Sequence, residues 1–381
     1  MTGPIGPESS WRAVGEAEFI DRAAIAARAC GVTRLADITG LDRLGMPVWQ
    51  AVRPAGRALS VHQGKGATPL AARIGALCEA IESHSAEQAP ADGPVCTFDA
   101  LPGRARAPEL ADYGRDRARL RNPGAIPWCH AVDLASGSEA FLPHAVVSLD
   151  LTCDLDGPFD RSSSGLAVGA TEREAAVTAI CELIERDAVA HWERASLLDR
   201  IATEIDVATI PYDWFGAWRA RFDAHGVVLQ IHAPTAIAGV PVLVFAMAGP
   251  VEFGAGLRTF MGAAAHESPE QALFRALAEA VQSRLTMIAG VRDDIYPSHY
   301  QPAGPRLRLP VPPAPTGFGE RHWDELAPGP VGLEALVAAL ASDGYGQVIA
   351  KRLADHLEGL AVMKLFIPGL GGPDRTRRTP R

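Results

Sequence analysis

Cysteine is sparse and scattered in this chain. Its six cysteines (Cys30, Cys78, Cys96, Cys129, Cys153 and Cys181) include no CxxC pair. The expectation is therefore reduced thiols, mostly core filler, in a cytoplasmic protein rather than a disulfide framework. No apolar run approaches a membrane span. The first residues, MTGPIGPESSW, lack the basic and apolar regions of a secretory signal. The common catalytic signatures are missing as well. There is no HExxH, no GxSxG and no GxGxxG leading into a helix and an acidic residue. Ser60 to Gly66 (SVHQGKG) lacks the GxxxxGK[ST] spacing of a P-loop. The histidines at 62, 84, 191 and 266 are scattered, and no Ser/His/Asp set assembles around them. Positive charge is in deficit: 36 Lys and Arg against 45 Asp and Glu leave a net charge of -9. That balance argues against nucleic acid as a partner. The one basic run, within 374–381, reads as a short tail.

What is present is an ordinary globular composition, 48% hydrophobic and 21% charged, in a chain long enough for one large domain or two smaller ones. Helices are expected over Glu16–Arg28, Pro69–Gln88, Thr171 to Trp192, Pro269–Ala289 and Leu333–Ala341. Strands are expected over Pro47–Val52, Leu59–Lys65, Trp128–Asp133, Glu139–Leu149, Val227–His232, Val242–Met247, Arg258–Ala264, Gln347–Ala350 and Ala361–Ile367. Residues 89–125 and 297–330 are rich in proline and weakly patterned, so both read as excursions. Residues 1–36 read as an N-terminal helical segment. Strands and helices mix without βαβ alternation, which favours an α+β, or mixed α/β, fold over a Rossmann sheet.

The stretch from Ser162 to Trp192 organises the chain. It opens as a small-residue turn and continues as a long helix, with Thr171 as N-cap and Glu174 placed for a capping box. At about 100° per residue, Glu174, Glu182 and Glu185 fall within an arc of roughly 80°. Three carboxylates on one face repel each other unless a cation sits among them, and Mg2+ with a phosphate ligand suits such oxygens. The plainer alternative is a solvated face with Arg186 paired to Glu182 at i,i+4. The device recurs, however. Glu79 and Glu82 stand three apart on the second predicted helix, and Glu279 and Gln282 on the fourth. Lys65, Arg73, Arg186, Arg275 and Arg284 lie beside these pairs and could balance phosphate charge. Gly64 and Gly66 could let backbone N–H groups approach a phosphate. Cys78 and Cys181 lie among apolar neighbours and read as core rather than nucleophiles.

Three stretches carry a resemblance: QGKGATPLAARIGALCEAIES, SSSGLAVGATEREAAVTAICELIERDAVAHW and GAAAHESPEQALFRALAEAVQSRLTMIAGVRDD. Together they resemble YcaO-domain proteins over about Asp37 to Pro373. With SRLTMIAGVRDD and the late PGLGG, the chain is most similar to members that pair with a TfuA protein. The resemblance implies an α/β fold without a P-loop, in which helices packed on β-sheet bind ATP and Mg2+. It implies activation of a peptide-backbone amide: a nucleophile attacks the carbonyl, the oxyanion takes the γ-phosphoryl group, and phosphate leaves with ADP as co-product. A neighbouring Cys, Ser or Thr gives an azoline, and a sulfide equivalent gives a thioamide. Carried over by position, Lys65, Glu79, Arg186, Arg275, Glu279, Gln282 and Arg284 would bind ATP. Glu82, Glu174, Glu182 and Glu185 would hold Mg2+. A peptide or protein substrate, a TfuA-like partner, a sulfur donor and a homodimer are the implied associations.

The chain departs from the family pattern at several positions. Ser164-Gly165 stands for the usual Asn-Gly, Gly169-Ala170-Thr171 for Gly-Asn-Thr, Gly75 for Ser, and Lys351-Arg352 for an apolar-acidic stretch. The C-terminus lacks the Pro-x-Pro-x-Pro tail of azoline-forming members, which favours thioamidation over cyclodehydration. A non-catalytic scaffold with a decayed ATP site is the remaining alternative.

Overall fold

A computed structural model describes residues 6–7, 13–101, 109–114, 117–152, 157–250, 257–300, 309–312, 321–354 and 357–370. In chain order the elements are α1 (Glu16–Ala29), β1 (Arg34–Asp37), β2 (Val48–Val52), β3 (Val61–Lys65), α2 (Pro69–Glu87), β4 (Val95–Cys96), α3 (Arg117–Leu120), β5 (Ile126–Asp133), β6 (Glu139–Pro143) and α4 (His144–Val147). They continue with β7 (Leu166–Gly169), α5 (Glu172–Arg194), α6 (Leu197–Ile201), α7 (Asp213–Ala224), β8 (Val228–His232), β9 (Val242–Pro250), β10 (Leu257–Ala265), α8 (Pro269–Ala289), α9 (Leu333–Ser342), β11 (Ile349–Arg352) and β12 (Ala361–Phe366). Every strand pairing is antiparallel. Two three-stranded sheets, β1-β2-β3 and β10-β9-β8, flank a six-stranded sheet of order β4-β5-β11-β12-β7, with β6 paired to β5. The architecture is mixed α/β without a Rossmann core.

Each sheet buries one face under a long helix, because a sheet face or a helix stripe that is apolar needs a partner. Helix α1 packs Phe19, Ala23 and Ala27 into the core that α2 shares with β5 and β6. Helix α8 covers β9 and β10 together with the aromatic face of α7 (Trp214, Phe215, Trp218 and Phe222). Helix α5 lies between β12 and α9. Among the described residues, no helix is long and apolar enough to cross a membrane.

Several sequence expectations are corrected. The strand expected over Glu139–Leu149 ends at Pro143 and turns into α4, since Pro143 supplies no N–H to continue a ladder. The small-residue turn before α5 contains a strand, β7, four residues long. Residues 195–226, to which the sequence reading assigns no element, carry α6 and α7. The α7 sequence DWFGAWRARFDA is aromatic-rich with an internal Gly216, a composition of weak helix propensity that packing overrides. The 89–125 stretch is no mere surface excursion, because it sends Leu101, Leu110 and Tyr113 into the main core, and Tyr113 is 0% exposed. Parts of both proline-rich stretches (102–108, 115–116, 301–308 and 313–320) and the tail at 374–381 lie outside the described residues.

Glycine sets how closely helix and strand approach. A methyl carbon at Gly64 of β3 would lie 2.0 Å from Ala76 N and 2.1 Å from Ala72 O on α2. At Gly262 of β10 it would lie 2.3 Å from Ala276 O and 2.5 Å from Ala280 N on α8. The space freed at Gly64 is therefore filled by α2, which corrects its assignment to phosphate contact. Gly64→Ala should lower the unfolding free energy by about 1–3 kcal/mol, the usual effect of overpacking. Urea denaturation measures this, and a loss under ~0.5 kcal/mol would contradict the close approach.

Candidate active site

Three helices present their acids in one register. The N-caps Thr68, Thr171 and Ser268 accept hydrogen bonds from Ala71 N, Glu174 N and Gln271 N. Eleven residues beyond each cap stands a glutamate: Glu79, Glu182 and Glu279 (68 to 79, 171 to 182, 268 to 279). Three residues further stand Glu82, Glu185 and Gln282. Eleven residues are roughly three turns, so each first acid lies above its own cap, about 16 Å along the axis. Each helix follows a strand (β3, β7 or β10), so the unit is a repeated strand–cap–helix with a polar pair at fixed height. The acid spacing is visible in sequence, and its fixed distance from the cap is the further signal that marks the unit.

The structure brings these groups together. Lys65 Nζ, at the end of β3, bonds Glu279 Oε2 on α8 at 3.0 Å. Arg186 grips Glu182 Oε1 with Nε at 2.9 Å and Nη2 at 2.6 Å. Glu79 is exposed, and it lies within the electrostatic reach of Lys65, Glu182, Glu279 and Arg186. Burial raises the Glu79 pKa. The charges of Glu182 and Glu279 raise it further, and Lys65 and Arg186 moderate the shift. Burial drives Glu82 well above the ordinary carboxyl range, with Glu79 adding to it. Burial does the same to Glu185, followed by the charges of Glu279 and Glu182. Burial opposes the charge on Lys65, but Glu279, Glu79 and Glu185 outweigh it and raise its pKa. For Arg186, Glu182, Glu185 and Glu279 outweigh burial in the same way. Acids from α2, α5 and α8 thus share one electrostatic site with two cations.

Strand β7 and the turn before it supply the other contacts. Glu82 Oε1 accepts the N–H of Val168 at 2.8 Å, and Glu182 Oε2 accepts that of Gly165 at 3.0 Å. A cavity of about 640 Å³ opens beside the cluster. Glu185, Arg186 and Glu279 line it, as do Arg161, Ser164 and Lys364. Lys364 was not singled out from sequence, whereas the Ser162–Ser164 turn opens the stretch read there as organising the chain. The signal for Lys364 was a lone lysine inside the apolar strand AVMKLF.

Two expected site residues are placed elsewhere. Glu174 is buried at the N-terminus of α5, where its Oε2 accepts the N–H of Ala170 at 3.0 Å. It caps the helix about two turns before Glu182, because a first-turn carboxylate satisfies backbone N–H groups that have no helical partner. Arg284, 2% exposed, pairs with Asp42 at 3.3 Å and lies over Phe260. It ties α8 to the loop before β2 instead of facing the acids. Arg73 lies over the Trp49 ring. Arg275 acts on Cys181 and His266. Gln282 is half-buried, and its carbonyl accepts the hydroxyl of Thr286 at 2.7 Å. The thiol of Cys181 is pushed up to about 12 by burial, in keeping with a core role. Arg292, just past α8, is an additional cation within the electrostatic reach of Glu79.

The donor set fits nucleotide-bound Mg2+. Among the described residues, no three His, Cys, Asp or Glu side chains surround a common point closely enough to hold a metal alone. Mg2+ commonly takes one or two carboxylates and completes its octahedron with phosphate oxygens and water. Partly exposed, mutually repelling acids beside Lys65 and Arg186 offer both halves of that arrangement.

Fold and site thus define an α/β protein with a composite acid-cation site and no P-loop. A family model described as YcaO cyclodehydratase, ATP- and Mg2+-binding, matches residues 63–371, and the chain belongs to this YcaO family. A protein encoded in the tfuA 3' region of Rhizobium leguminosarum bv. trifolii is 37% identical over 276 residues, covering 71% of this chain and 66% of that protein. The fold is similar to YcaO from Methanopyrus kandleri bound with AMPPCP and Mg2+ (TM-score 0.72, 22% identity, 99% of this chain and 98% of that one). It is also similar to a heterocyclase in complex with substrate and cofactor (TM-score 0.76, 19% identity, 96% of this chain). This chain spans only 54% of that heterocyclase.

Glu185→Gln removes one repelling charge. Without nucleotide it should raise the calorimetric unfolding midpoint at pH 7 by ~2 °C, the shift that about 1 kcal/mol makes in a large domain. Because the folded state holds the Glu185 proton above its ordinary pKa of 4.5, this contribution to wild-type stability falls as pH rises from there. The advantage of the variant should therefore grow with pH above 4.5. A variant less stable than wild type at pH 7 would refute the repulsion.

Proposed function

We propose that this protein uses ATP and Mg2+ to activate a peptide-backbone amide, and that its product is a thioamide made with a TfuA-like partner and a sulfur donor. The observation that supports this reading is the convergence of Glu79, Glu82, Glu182, Glu185 and Glu279 with Lys65 and Arg186 beside a cavity. The relative from the tfuA 3' region supports the choice of partner. Residues 37–373 form the catalytic domain in this reading, and the active species is a homodimer.

Bound ATP would supply the phosphoryl group that turns the amide oxygen into a leaving group. Glu82, Glu182 and Glu185 would hold Mg2+. Glu79, Glu279 and Gln282 would complete the nucleotide site, with Arg275 at its edge. Lys65 and Arg186 would hold charge that develops on phosphate oxygens, the role that arginine and lysine clamps serve in a water-poor site. In the balanced reaction a sulfide equivalent adds to the carbonyl carbon and the amide oxygen departs with the γ-phosphoryl group. Thioamide, ADP and phosphate are formed.

Two of the family departures, Ala170 and Gly75, leave the site furnished. Ala170 contributes its backbone N–H to Glu174, and Gly75 packs against Gly64, where a Cβ would come within 3.1 Å of the Gly64 Cα. Both features count against a decayed scaffold. Azoline formation is the second reading, because the family model is described as a cyclodehydratase.

The test is mass spectrometry of a cognate peptide incubated with the protein, its partner, sulfide, Mg2+ and ATP. An oxygen-for-sulfur mass change with equimolar ADP is expected. Loss of water would move the assignment to azoline formation. Loss of Mg2+-dependent ATP binding in Glu182→Gln/Glu185→Gln, read by calorimetry, is the accompanying expectation. Unchanged binding would place the nucleotide elsewhere.

A further inference from the structure

Lys364 lines the cavity at the centre of β12, on a strand that is otherwise apolar. It is 3% exposed, and an ammonium so buried must be well hydrogen-bonded. Its Nζ donates to two backbone carbonyls, those of Ser162 and Ser164, the latter at 2.8 Å. The Ser164 carbonyl belongs to the same peptide unit as the Gly165 N–H, which donates to Glu182 Oε2 at 3.0 Å. The positive charge of Lys364 therefore meets one end of a peptide group whose other end meets a negative charge. Hydrogen bonds in such a chain polarise and strengthen one another.

The bridge is also rigid. Gly165 has φ +76°, and a Cβ there would lie 2.4 Å from Leu365 O. On the next peptide unit, Leu365 N donates to Gly165 O at 2.7 Å. Glu182 then passes the constraint on, because its other oxygen, Oε1, is the one that Arg186 grips. Lys351, directly across on β11, has its own carboxylate partner in Asp92, so the two lysines point to separate anchors.

We infer that Lys364 is a positioning residue for the nucleotide site, acting through the Ser164–Gly165 peptide to fix Glu182 and thereby the aim of Arg186. The inference rests on the ATP reading above. Calorimetric titration of the full chain with AMPPCP and Mg2+ tests both. Lys364→Met should weaken binding by about tenfold, as loss of an outer-shell partner does. In a Glu182→Gln background the same substitution should cost less than roughly twofold, because residues acting through one another are not additive. Lys364→Arg, which keeps a charged donor, should stay within roughly threefold of wild type. A purely structural lysine would give equal losses in both backgrounds, and that result overturns the inference while leaving the ATP site standing. If Lys364→Met does not fold, Lys364→Gln carries the same cycle. A folded wild type that binds no AMPPCP with Mg2+ overturns the ATP reading and this inference together.

Discussion

Repulsion among like charges is the constraint to which the rest of the molecule answers. Acids from α2, α5 and α8 are held together against their mutual repulsion and their loss of hydration. Lys65 and Arg186 offset part of that repulsion. The N–H of Val168, on the outer side of the edge strand β7, and that of Gly165, in the turn before it, offset another part. The remainder is a standing demand for positive charge, which is what a divalent cation brings. A site of this kind is a reservoir of unfavourable electrostatics that ligand binding relieves.

The scaffold meets the demand by repeating one unit. Strand, capped helix start and polar pair recur at β3–α2, β7–α5 and β10–α8, with equal distances from cap to acid. Gly64 and Gly262 bring two of these helices against their strands at backbone contact. Close approach leaves the acids little freedom to retreat from one another. The Lys65–Glu279 pair then joins the first unit to the third, and Arg186 binds the second to itself.

The YcaO assignment and the site geometry support each other from different directions. The family model speaks to ATP and Mg2+, and the similar structures speak to the fold. The electrostatics show why this chain, with no P-loop, has use for both. Its cavity is lined by Glu185, Glu279, Arg186 and Lys364 together.

Much of this was legible in residues alone. Periodicity located α1, α2, α5, α8 and α9 to within a residue or two, and α2, α5 and α8 are further marked by Thr or Ser caps. The acid pairs stood out because they interrupt apolar helices. Short or aromatic elements such as β7 and α7 were hidden, since packing rather than propensity holds them. The sequence by itself determined which side chains could carry the chemistry and at what spacing along each helix. Only the tertiary structure decided which of them share a site. It set Arg284 against Asp42, and it brought Lys364 within one peptide group of Glu182. The reason is physical: spacing along a helix fixes direction about one axis, whereas electrostatic coupling depends on the distance between axes, which strand pairing and glycine contacts set.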